Sequence, residues 1–188
     1  MAVREILAFP NPFLKKEAAA VQAFNEDLNQ LANDMIETMH DSDGVGLAAT
    51  QIGVDLQILI LSDYVFQSEE QRAQIQREEA SMGQDHVLIN PAVLEESDTL
   101  LLDYEGCLSF PDVFVKVRRP SWVKIEAWDL TGERFELEAN GFGARAILHE
   151  MDHLNGKVMV DHLSFVARKQ ALNRHRRVQR SLQNAKEA

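Results

Sequence analysis

The sequence predicts an α+β domain, with antiparallel or mixed sheets packed around one histidine-bearing helix and a further helix at the C-terminus. Three observations lead there. Strand-like runs cluster between Val87 and Ala139 instead of alternating with helices, which argues against βαβ units. Helical periodicity appears in three separate stretches, near 25–40, at 144–154 and from Ser164 onward. No internal repeat and no Gly/Ser- or Pro-rich linker divides the chain, so residues 1–188 read as one domain.

The elements follow in order. Leu28, Leu31, Met35 and Met39 recur at spacings of three and four, and Asn25 can cap the helix they define. Asp41-Ser42-Asp43-Gly44 ends it. A glycine-rich stretch follows, then Gln57–Leu61 as a short buried strand. Residues 67–86 are almost wholly polar and read as a solvated helix or loop inserted in the domain. Strand signals resume at Val87–Ile89, Thr99–Leu102 and Phe114–Val117. Val123, Ile125 and Ala127 alternate, Asp129–Gly132 turns, and Phe135, Leu137 and Ala139 alternate again, which predicts a hairpin. Ala144–Leu154 is helical, with Gly156 where a helix stops. The basic tail forms the last helix, over about 164–186.

The bulk numbers narrow the function. Hydrophobic residues make up 45% of the 188, an ordinary share for a globular protein. The formal net charge of -11 disfavours DNA as a partner of the whole surface. Residues 168–186 are the exception, with seven Lys or Arg and no Asp or Glu. One cysteine permits no disulfide within the chain, which points to a reducing compartment. No signal-peptide pattern and no apolar run near the ~18 residues of a membrane span is present. The expectation is a soluble cytoplasmic protein with no membrane partner.

The strongest chemical signal is His149-Glu150-Met151-Asp152-His153. Residues four apart on a helix share one face, so His149 and His153 can hold one metal ion. Glu150 can then reach a water at that ion as general base. Chance matches to so short a motif occur, and the bland alternative is two surface histidines beside a carboxylate. Apolar residues elsewhere on the helix favour the metal.

A third ligand decides the class. Met159 stands where the metzincin pattern needs a histidine, and His162 comes three residues too late. From Leu154 to Lys186 there is no Glu to complete the other common metalloprotease pattern. The remaining candidate is upstream: Cys107, in Glu105-Gly106-Cys107-Leu108-Ser109-Phe110-Pro111. A thiolate with two imidazoles suits zinc or ferrous iron and leaves a fourth position open. Taken alone, Cys107 reads as a buried structural cysteine. The third stretch, Gly44-Val45-Gly46-Leu47-Ala48-Ala49-Thr50-Gln51-Ile52-Gly53, lets backbone lie close to a ligand and offers the Gln51 amide to a developing oxyanion. Its glycines lack phosphate-loop spacing, and alone it reads as a flexible turn.

Together, in this order, the three stretches resemble the peptide deformylase family, over the region from Pro10-Asn11-Pro12 to about Leu163. The resemblance implies removal of the formyl group from the N-terminal formyl-methionine of new polypeptides. It implies Cys107, His149 and His153 as metal ligands, with Fe2+ as the ion and Zn2+ (or Ni2+ or Co2+) as substitute. It implies Glu150, Gln51 and the Leu108 N–H as catalytic groups. It implies Gly44, Val45, Gly46 and Leu47, with Glu105 and Gly106, as the substrate-binding wall, the first of these adding the substrate as a strand.

Glu105 is expected to position the Cys107 loop by pairing with Arg119. Asp152 reads equally as a support for a ligand histidine or as an exposed carboxylate. Thr50, Leu148 and Phe114 replace residues more usual in the family, respectively proline, glutamine and a basic residue. The implied partners are nascent N-formylmethionyl peptides and the ribosome, the latter through the basic tail. The rival readings are a zinc peptidase, which the missing downstream ligand disfavours, and a ribosome-bound protein with a dead site, which the complete ligand set disfavours.

Overall fold

The computed structural model describes residues 2–74 and 85–187. Its centre is a five-stranded antiparallel sheet in the order β1-β2-β3-β6-β7. The strands are β1 (Gly46–Ala48), β2 (Ile58–Leu61), β3 (His86–Glu96), β6 (Trp122–Trp128) and β7 (Arg134–Asn140). A separate two-stranded ribbon, β4 (Leu100–Glu105) with β5 (Val115–Pro120), is inserted between β3 and β6. The helices are α1 (Glu26–Asp41), a short α2 (Glu69–Gln74), α3 (Gly141–Leu154) and α4 (Phe165–Glu187). The α+β prediction holds.

The sheet lies between two helices, and β2 shows why its sequence is apolar throughout. Side chains alternate across a strand. Ile58 and Ile60 pack in the cluster that holds Met35 and Met39 of α1. Leu59 and Leu61 pack in the cluster that holds Ile147 and Leu154 of α3. All four strand residues are buried, so neither face of β2 can be polar. Fully burying each such side chain contributes roughly 1.5–3 kcal/mol. A third cluster joins Leu14, Phe110 and Val158 to Ala171 of α4.

The caps fall where the sequence puts them. Asn25 accepts a hydrogen bond from the Leu28 N–H and starts α1. Gly156 follows α3 with φ 65°, the left-handed value a helix stop favours in glycine. A β-carbon there would also lie 2.6 Å from the Lys15 carbonyl oxygen.

Several boundaries differ from the expectation, and β4 and β5 each end three residues later than expected. β3 runs on past Ile89 to Glu96. Asn90-Pro91 looks like a strand stop, but it sits in a register shift between Ile89 and Ala92, with Asn90 at φ 48°. The Asn90 side chain exchanges hydrogen bonds with the backbone of Val21, which holds that irregularity in place. α3 begins at Gly141, three residues early, because Asn140 and Gly141 make the turn out of β7. The glycine-rich stretch is ordered into β1 and a 3-10 turn over Ala49–Ile52, not a flexible turn. Of the polar segment 67–86, residues 69–74 form α2, and 75–84 lie outside the described residues.

Candidate metal centre

α3 passes under β1 and beside the β4–β5 ribbon, and the three chemical stretches meet there. His149 and His153, one turn apart on α3, have ring centroids 5.1 Å apart. The Cys107 Sγ lies 3.2 Å from His153 Nε2. One ligand atom from each of Cys107, His149 and His153 falls within 4.8 Å of the others, and among the described residues this is the one such cluster of three. Sulfur and two imidazole nitrogens at that separation can hold a single divalent ion.

Of the two histidines, only His149 is held from behind, since His153 Nδ1 is buried with no hydrogen-bond partner among the described residues. Glu105, the last residue of β4, accepts a hydrogen bond from His149 Nδ1 at 2.9 Å. It also accepts two from Arg119 of β5, from Nε at 2.8 Å and Nη2 at 3.0 Å. Burial opposes a charge on Glu105, but His149 and Arg119 outweigh it and hold the carboxyl well below the usual range. The expected Glu105–Arg119 pair is therefore present, buried and not at the surface. Asp152 touches neither histidine of the cluster directly and is not exposed. It is half-buried and accepts from Arg119 Nη1 at 2.6 Å and pairs with His162 at 2.6 Å. It braces Arg119, which in turn braces Glu105. Burial holds His153 well below the ordinary histidine range.

Glu150 faces the glycine stretch. It is 6% exposed, and its Oε2 has no hydrogen-bond partner among the described residues. Burial pushes its carboxyl up to about 7. A β-carbon on Gly46 would lie 2.6 Å from Glu150 Oε1, so only glycine leaves room for the carboxylate. Gln51 is held by the Ala48 N–H, which donates to its Oε1 at 2.8 Å. Its Nε2 then points at the Cys107 sulfur, 3.6 Å away, and at Ser109 Oγ, 3.3 Å away.

A cavity of about 620 Å³ opens onto Cys107, His149 and Glu150, while Gln51 and His153 lie behind its lining. Gly44, Val45 and Gly46 form one side, and Gly106, Leu108 and Phe114 the other. Leu47, expected in the substrate wall, does not line it. Its side chain is on the opposite face of β1, in the cluster with Met35 and Met39. The alternation of the strand decides this. Leu108 contributes its side chain to packing as well, since a β-carbon on Gly44 would lie 2.8 Å from Leu108 Cδ1.

The three unusual residues have identifiable surroundings. Thr50 is buried and donates to the His153 carbonyl at 3.2 Å, a bond proline could not make. Leu148 packs against the α3 core cluster. Phe114 is exposed and lies over Gly106, where an added β-carbon would come within 2.7 Å of its ring.

The family model described as polypeptide deformylase matches residues 3–169. The chain belongs to the polypeptide deformylase family. Peptide deformylase of Acinetobacter baumannii is 40% identical over 188 residues, covering 100% of this chain and 98% of that protein. That of Novosphingobium aromaticivorans is 36% identical over 180 residues, covering 93% and 96%. Among solved structures, a peptide deformylase from Legionella pneumophila superposes with a TM-score of 0.82 at 35% identity, covering 96% of this chain and 98% of that one. One from Ehrlichia chaffeensis in complex with actinonin gives 0.82 at 32% identity, covering 96% and 99%. Members of the family are hydrolases that remove the N-formyl group of nascent peptides, and this deformylase is one of them. The family is metal-dependent, and the cluster described above is able to hold the metal.

Two residues of the deformylase site escape the sequence reading. Arg145 lies on the α3 face that carries His149 and also reaches Glu105. Ser109 is wholly buried beside the Gln51 amide. Arg145 reads as the one charge in the apolar first half of α3, and nothing local says where its guanidinium goes. Ser109 lies inside the Cys107 stretch, and its position two residues from that cysteine is the available signal.

Proposed function

We propose that Cys107, His149 and His153 bind one divalent ion, Fe2+ by preference and Zn2+, Ni2+ or Co2+ in substitution, and that Glu150 moves the protons of deformylation. The observation that carries this reading is the sulfur and two imidazoles within 4.8 Å of one another, with the buried Glu150 carboxyl beside them. Bound there, the ion would acidify a water and polarise the formyl carbonyl. Glu150 accepts the water's proton and returns it to the departing amine nitrogen. The Gln51 Nε2, held as a donor by the grip of Ala48 on Oε1, and the Leu108 N–H stabilise the negative charge that develops on the formyl oxygen. Gly44, Val45 and Gly46 bind the peptide backbone as an added strand, which leaves side chains beyond the methionine free to vary. Gly106 lets the opposite wall approach closely.

A formate-release assay tests this. Formyl-methionyl peptides should be strongly preferred over acetyl-methionyl ones, because a methyl on the carbonyl carbon collides with the groups that converge on it. Comparable kcat/KM for the two would refute the pocket as drawn.

The second partner we propose is the ribosome, bound through α4, with the protein working in the cytoplasm, where its cysteine stays reduced. The helix is anchored by Ala171 and His175, both buried. Lys169, Arg174, Arg176, Arg177 and Arg180 are all exposed. Phosphate contacts of that kind make affinity fall steeply with salt. Ribosome binding that is indifferent to salt, or unchanged by truncation at Ser164, would remove the tail from this role.

A further inference from the structure

We infer that Arg145 is a positioning residue for the metal centre, acting through Glu105 to fix the ring of His149. The inference rests on the ligand assignment above and adds a residue to it. Arg145 is 5% exposed. Its Nη1 donates to Glu105 Oε1 at 2.8 Å and to the Val117 carbonyl at 3.0 Å. Its Nη2 donates to the Leu101 carbonyl at 2.9 Å. One side chain of α3 thus grips both strands of the β4–β5 ribbon and the carboxylate at the ribbon's end.

The count of donors on Glu105 explains why this matters. A carboxylate offers about four acceptor positions. Oε1 takes Arg119 Nε and Arg145 Nη1, and Oε2 takes Arg119 Nη2 and His149 Nδ1. All four are filled, so the carboxylate cannot turn without losing a bond. Arg145 and His149 are four residues apart, on one face of α3. The helix therefore holds the two oxygens of one carboxylate from two successive turns. Cys107 is two residues beyond Glu105, so the same contact sets the ribbon that delivers the thiolate against the helix that delivers the imidazoles.

Charge points the same way. Arg119 divides its charge between Glu105 and Asp152. Arg145 pairs with Glu105 and with no other carboxylate among the described residues. Without Arg145, Glu105 keeps the side-on grip of Arg119 but loses the donor that opposes rotation on the Oε1 side. Lysine keeps the charge but not the planar fork, so it cannot serve Oε1 and the two carbonyls together.

The test uses zinc-loaded protein and follows metal release to a chelating dye. Partners that orient ligand histidines typically contribute 10–100-fold in metal affinity or activity. Arg145→Lys should release zinc about 10–100-fold faster than wild type, with kcat reduced and KM for a formyl-methionyl peptide within about twofold. Glu105→Gln should also release faster, and Arg145→Lys/Glu105→Gln should release no faster than Glu105→Gln alone. Arg145→Met is the harsher variant; if it fails to fold, Arg145→Lys still decides. Release from Arg145→Lys at the wild-type rate, even with a lowered Tm, would make Arg145 a strut and overturn the inference. Full additivity in the double variant would overturn it too, because the residue would then not act through Glu105. Failure of wild type to retain zinc would instead sink the ligand assignment itself.

Discussion

Glu150→Gln should keep its metal and lose ~10²–10⁴-fold in turnover, the usual cost of removing a general base. The amide has the size of the acid, so the packing against Gly46 survives the exchange. What changes is the capacity to accept a proton. The site favours that capacity: Oε2 meets no hydrogen-bond partner among the described residues, and burial pushes the carboxyl up to about 7, which strengthens the carboxylate as a proton acceptor. Elemental analysis paired with single-turnover formate release separates binding from chemistry. Activity within a few-fold of wild type would show that the proton travels by another group, and a variant without metal would assign Glu150 a role in holding the ligands.

Gly46→Ala should cost about 10²-fold with the metal retained. The added carbon would lie 2.6 Å from Glu150 Oε1 and 3.0 Å from its Cδ and Cγ. A long exposed side chain would swing away at little cost. Glu150 is buried between α3 and β1 and has no such freedom. Either the carboxylate or β1 must move by a fraction of an ångström to about 1 Å, and displacements of that size can cost 10²-fold in rate. β1 is also the proposed seat of the peptide backbone, so KM should rise as kcat falls. Wild-type kinetics in Gly46→Ala would mean that Glu150 works from a different position than the one seen here.

Much of this site is legible in the sequence because its parts are local. His149 and His153 declare their shared face by spacing alone, and Glu150 stands beside them. Cys107 does not declare itself; it becomes the candidate only when the downstream alternatives at 159 and beyond fail. The supporting residues are hidden for a physical reason. Arg145 meets acceptors at 101, 105 and 117, and the sequence has no period that links those positions to an α3 face. Asp152 is ambiguous because a helix carboxylate near a motif looks the same whether it bonds an arginine or water. In the fold, the alternating hairpin of β6 and β7 and the capped helix α1 are readable, since each is specified within one stretch. β3 is misjudged at Asn90-Pro91 because the irregularity there depends on Val21, almost seventy residues away. The inward turn of Leu47 is hidden because glycines conceal the strand, and strand alternation is what sends its side chain into the core.

The insertion of the β4–β5 ribbon between β3 and β6 also sets the order in which this chain can become active. Short closures come early, since loop-closure entropy grows with the separation of the residues joined. The β6–β7 hairpin closes over the turn at 129–132, and α3 and α4 are local. The Cys107–His153 contact spans 46 residues, and Thr50–His153 spans 103. His175, seated against the Phe9 carbonyl, closes a separation of 166. A chain released with its hairpins and helices formed but its first fifty residues undocked has neither the Gly46 wall nor the Gln51 donor. A complete site therefore requires the N-terminal third to close over a helix made from the C-terminal third.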